Sequence, residues 1–139
     1  MITKHMPAEI LYELLIEEAI FNSAYPLYIG HMPSGKKATK VPAGSVTDTA
    51  GTLDGRLSTG TVIEHPGIQL RVRHREPATA RAKIVEAVKF FATVTRRTIT
   101  VEGLSYRVEN ITRITTVMDL GTQEDQMKNF TVNVIVTIN

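Results

Sequence analysis

His65-Pro66-Gly67-Ile68-Gln69-Leu70-Arg71-Val72-Arg73-His74-Arg75 is the stretch on which the fold turns. Ile68, Leu70 and Val72 share one side of a period-two pattern, and Gln69, Arg71 and Arg73 share the other. Such alternation predicts a half-buried strand. Upstream, His65-Pro66-Gly67 has the composition of a tight turn, because proline fixes φ and glycine tolerates a positive one. Downstream, Glu76-Pro77 stops the strand. Pro77 suits the first turn of a helix, where its missing N–H costs nothing. The expected order is turn, strand, helix. The strand's polar side carries two guanidinium groups and an amide, and spacing alone reads it as a solvated face.

Working outward, residues 7–22 predict a helix opened by Pro7, with Glu9 near the positive end of its dipole. Ile10, Leu11, Leu14, Leu15 and Ala19 make its apolar stripe. Residues 24–31 predict a short strand with Tyr25, Leu27 and Ile29 on one side, and Pro26 suggests an edge. Residues 32–64 are rich in Gly, Ser, Thr, Pro and Lys. Ser45 to Thr49 could form a strand, and the whole reads as a long loop or an extended hairpin arm.

A second helix is expected over residues 77–94, on a stripe of Ala80, Ile84, Ala87, Val88 and Phe91. Strands follow at 98–101 and from Leu104, joined by a turn at Glu102-Gly103. Leu104, Tyr106 and Val108 alternate, but Ile111 and Val117 have the opposite phase, which predicts a bulge near Asn110. Residues 118–128 read as a polar, acidic connection. The last strand has Phe130, Val132, Val134, Val136 and Ile138 on one face and Thr131, Asn133 and Thr137 on the other, with Ile135 breaking the polar side. The expected fold class is α+β: a mixed, mostly antiparallel sheet with two helices packed on one face and a long loop or hairpin arm.

A length of 139 residues predicts one domain spanning 1–139. There is no cysteine, so thiol chemistry is excluded, and a reducing site of synthesis such as the cytosol fits. Sixteen Lys and Arg against fourteen Asp and Glu leave a formal charge of +2. That is too small to announce a nucleic-acid binder, so electrostatic function must come from local clusters. Such clusters exist. Lys36, Lys37 and Lys40 lie in the long connection, Arg71, Arg73 and Arg75 along the strand, and Arg96 and Arg97 after the second helix. They can meet phosphates or the carboxylates of a neighbouring subunit. No run of about 18 apolar residues predicts a membrane span, and Met1 to Glu9 has no apolar segment of the secretory kind.

Catalytic chemistry is hard to find. Residues 30–37 match G-x-x-x-x-G-K, but Lys37 stands where a phosphate loop needs Ser or Thr, and Pro42 and Gly44 argue against a following helix. His5, His31, His65 and His74 have no metal-ligand spacing. Serines lack a nucleophile elbow, and the carboxylates form no acid–base pair. The expectation is a non-enzyme with no cofactor and no metal, acting through its surfaces.

The segment from Gly60 to Arg73, with its Pro66-Gly67-Ile68-Gln69-Leu70-Arg71-Val72-Arg73 core, resembles the small tail-terminator and minor capsid proteins of long-tailed bacteriophages. The N-terminal amphipathic helix, Tyr25-Pro26 and the late Leu120-Gly121…Phe130…Asn133 pattern add to the likeness; Ser34 to Arg56 match least. The resemblance implies a virion protein at the head–tail junction, assembled in host cytoplasm. It would form a homohexameric ring on the head-proximal end of the tail tube. The ring would stop tube polymerisation, with the major tail tube protein on one side and the head connector on the other, and DNA would pass through the lumen without specific binding. Gln69, Arg71, Arg73, Arg75, Lys36, Lys37 and Lys40 would then face the subunit interface or the lumen. A head-completion or connector-joining neck protein is the alternative, and a small basic nucleic-acid-binding module a more distant one.

Overall fold

Ile68, Leu70 and Val72 are fully withdrawn from solvent, each burial contributing about 1.5–3 kcal/mol. The layer that covers them explains the architecture. The computed structural model describes residues 4–32, 42–56, 62–112, 114–122 and 127–138. In chain order the elements are α1 (Pro7–Glu17), β1 (Leu27–Ile29), β2 (Ala43–Arg56), β3 (Val62–His74), α2 (Pro77–Phe91), β4 (Thr95–Val101), β5 (Leu104–Thr112), β6 (Met118–Thr122) and β7 (Lys128–Ile138). The strands form one curled sheet in the order β1-β2-β3-β7-β5-β4, with β6 also paired to β7. Among the described strands only β1 and β2 run parallel. This is the α+β class expected.

Both helices lie on the apolar face. Ile10, Leu11, Leu14 and Leu15 of α1 and Ala80, Ile84, Ala87 and Phe91 of α2 join one buried cluster with Leu70, Val72, Val132, Val134 and Val136. Register makes that face continuous, because Val46 lies opposite Leu70 and Leu70 opposite Val132. Pro7 and Pro77 occupy first turns, as expected. Asp48 on β2 supplies what Met6 cannot: its carboxylate accepts the Ala8 N–H at 2.8 Å, capping α1 from across the fold.

Several boundaries differ from the sequence expectation. α1 stops at Glu17, not residue 22, because Ala19 turns left-handed at φ +57°. The Ile20 N–H then reaches the Leu15 carbonyl and the Ala19 N–H the Ile16 carbonyl, which is a Schellman closure. Ala19 therefore leaves the apolar stripe, while Ile20 and Phe21 fold back into the core. α2 likewise ends at Phe91 instead of residue 94.

His65-Pro66-Gly67 is not a turn. β3 runs straight through it, and Gly67 takes no left-handed φ. Opposite Pro66, β2 fits two residues against one, between the pairs Thr49–Gly67 and Thr52–His65. A proline inside a sheet removes a ladder donor, and a bulge is how a strand accommodates it. Within the long connection, the described residues 43–56 and 62–64 belong to the antiparallel pair β2 and β3. The short strand expected at Ser45 to Thr49 is part of β2, which extends from Ala43 to Arg56.

Residues 118–128 are not all connection, since Met118–Thr122 form β6. Its pairing breaks between Asp119 and Gly121, and that bulge destroys the alternation that would have revealed a strand. The bulge expected near Asn110 is present, between Val108 and Asn110 in the pairing with β7. β4 begins at Thr95, three residues early. β1 is a short edge strand, so Ile29 is exposed although Tyr25 and Leu27 are buried.

Candidate interaction surface

The alternation that buries Ile68, Leu70 and Val72 delivers Gln69, Arg71 and Arg73 to the face without helices. Register assembles a polar surface there from strands far apart in sequence. Ser45, Arg71, Thr131 and Met118 stand in one row across β2, β3, β7 and β6. Thr47, Gln69 and Asn133 form the row beside it.

This surface is built, not merely solvated. The Thr131 hydroxyl donates to the Leu70 carbonyl at 3.0 Å. Asn129 is 1% exposed; its Nδ2 donates to the Met127 carbonyl and its Oδ1 accepts from Arg71 Nε, both at 3.0 Å. The Asn133 backbone is held by Thr115, whose hydroxyl accepts the Asn133 N–H at 2.9 Å. Asn133 Oδ1 is buried without a partner among the described residues.

Arg71 lines a concavity of about 220 Å³ with Gly30, His31, Met32, Ser45, Thr47 and Gln69. No carboxylate is among these residues. The arginine is half-buried, and asparagine occupies only its Nε. Arg73 differs. It is 5% exposed in the single chain, and its backbone carbonyl accepts the Tyr25 hydroxyl at 2.9 Å. Arg75 is exposed at the end of β3, apart from the concavity. Lys36, Lys37 and Lys40 lie outside the described residues.

The other basic pair is already engaged. Arg97 reaches Glu17 and Glu18 at the C-terminal end of α1 and stands over the Phe90 ring. Arg96 approaches Glu109 at 3.9 Å. The sequence reading missed His31, Ser45, Thr47 and Asn129. Ser45 and Thr47 carry the right alternation, but only strand register shows that they flank Arg71.

Among the described residues no three His, Asp or Glu side chains come together to hold a metal ion, and no described helix is long and apolar enough to cross a membrane. The phosphate-loop-like stretch follows β1, but the next described element is β2 and not a helix. The arrangement suits recognition of a carboxylate or another hydrogen-bonding surface.

No family model matches the chain, and no curated protein matches it. Among solved structures, a second overlay has a TM-score of 0.48 at 14% identity over 97% of each chain. A chain in the virion of a native gene transfer agent particle overlays with a TM-score of 0.59 at 12% identity, covering 95% of this chain and 93% of that one; from end to end, then, this protein has the fold of a virion-particle chain.

Proposed function

We propose that the protein is a structural component of a phage-like virion, acting as a ring at the head-proximal end of a tail tube. It ends tube growth there and joins the tail to the head without catalysing a reaction. The observation that carries this reading is the fold, shared along nearly the whole of both chains with a component of a gene transfer agent virion. The tail-terminator resemblance of residues 60–73 favours the junction. The polar face supports it too, since a ring requires one patch to meet a different patch on the next copy.

The test is mass by light scattering across concentration, with negative-stain images of the same sample, alone and mixed with the tube protein that it would cap. The expected result is a closed ring with a central hole, found free or at one end of tubes of limited length. A monomer at every concentration that leaves tube length unchanged overturns the reading.

A further inference from the structure

We propose that the β4–β5 hairpin tip of one copy docks into the Arg71 concavity of the next, with Glu102 pairing with Arg71. This rests on the ring reading and names its contact. Arg71 is a half-buried cation in a recess lined by neutral side chains and His31. Its Nε is taken by Asn129, and no carboxylate partners its remaining nitrogens among the described residues. A guanidinium in a concave recess draws a carboxylate and prefers it two-pronged.

The chain carries a matching piece. Glu102 and Gly103 both take left-handed φ, +48° and +82°, so β4 and β5 are joined by a two-residue turn of the primed kind. β5 pairs with β7 only from Val108 onward, whereas its pairing with β4 continues to Leu104. The tip therefore projects past the shared sheet. Its carboxylate is 84% exposed and, among the described residues, touches only His5 Nε2 at 3.3 Å. Beside it, Leu104 is 39% exposed. One acid and one aliphatic group on the tip meet one base and the Met32 thioether in the recess.

Position supplies the rest. The recess lies over β1, β2 and β3, and the tip belongs to the opposite border of the sheet. One copy cannot fill its own recess. A contact between opposite borders repeats head to tail, which is the geometry that closes rings.

The experiment is charge reversal with a covalent trap. Arg71→Glu and Glu102→Arg are made singly and together, and association is followed by light scattering. Each single change is expected to raise the concentration needed for assembly by about tenfold or more, and the double change to restore most of that loss. Glu102→Arg sits on an exposed tip, so it tests the contact even if Arg71→Glu disturbs folding. Because the chain has no cysteine, His31→Cys with Leu104→Cys should give disulfide-linked multimers on oxidation and none from either single variant. A ring that forms unaffected by Glu102→Arg and without cross-links overturns the pairing while leaving the ring reading standing. Absence of any assembled wild-type species, both alone and with the tube protein, overturns both.

Discussion

Arg71 and Asn129 meet diagonally across the sheet: Arg71 stands opposite Thr131, yet its Nε donates to Asn129 Oδ1 at 3.0 Å. A buried asparagine thus fixes where a half-buried guanidinium points. The two side chains differ in what their loss exposes, and that separates fold from surface.

Asn129→Ala should cost about 2–3 kcal/mol, because it removes two hydrogen bonds made by a buried side chain. Arg71→Met keeps the apolar stem and loses one bond where Asn129→Ala loses two, so it should cost about 1 kcal/mol. Urea midpoints of the two variants check the order. Equal costs would mean that Arg71 is as much a part of the folded core as Asn129.

Ala19→Gly should stabilise the protein. An L-residue in the left-handed region costs roughly 1–2 kcal/mol, while glycine adopts it freely. Glycine's greater freedom in the unfolded chain returns about half of that. The net expectation is a gain of about 0.5–1 kcal/mol, read as a rise of a few degrees in Tm. A lower Tm would show that the methyl group contributes contacts outweighing its backbone strain.

Where burial imposed a regular period, the fold was legible in the residues. Ile68, Leu70 and Val72, the α2 stripe apart from the partly buried Val88, and the even-numbered face of β7 occupy the core, and the phase slip after Val108 marked a real bulge. Where irregularity replaced period, it was not. Gly121 and its bulge hid β6, Ala19 ended α1 without a glycine, and Pro66 gave the same local signal for a bulge as for a turn. The site was half legible. Alternation placed Arg71 on the helix-free face, but its neighbours Ser45 and Asn129 come from strands brought together only by long-range pairing. Nothing local distinguished Arg73, which the fold buries, from Arg71, which it leaves half open.

Gly44→Ala should destabilise by about 1–3 kcal/mol through overpacking. A Cβ there would stand 2.6 Å from Phe21 Cε1 and 3.2 Å from Leu27 Cδ1, and Phe21 is buried too deeply to give way. Phe21→Leu alone should also destabilise. The double variant should lose less than the sum, because the smaller side chain makes room for the methyl group. Additive losses in denaturant unfolding would place the strain in the backbone of β2 instead.

Tyr25 makes the stability fall at alkaline pH in a way one substitution can isolate. Burial raises its hydroxyl pKa above the ordinary value of 10.0, with the Arg73 charge opposing more weakly. The folded state therefore holds the proton more tightly than the unfolded one. That contribution is fully present below the unfolded pKa, and it is lost as pH rises from about 10 through the folded pKa. At neutral pH, Tyr25→Phe should cost about 1 kcal/mol, since the hydroxyl's bond to the Arg73 carbonyl is gone. Above about pH 10 the wild type loses close to 1.4 kcal/mol per pH unit that the phenylalanine variant does not. The stability difference should shrink and then reverse sign. Urea unfolding of both at steps from about pH 8 to about pH 11 measures it. A difference that stays constant across that range would mean that the Tyr25 hydroxyl ionises as readily in the folded chain as in the unfolded one.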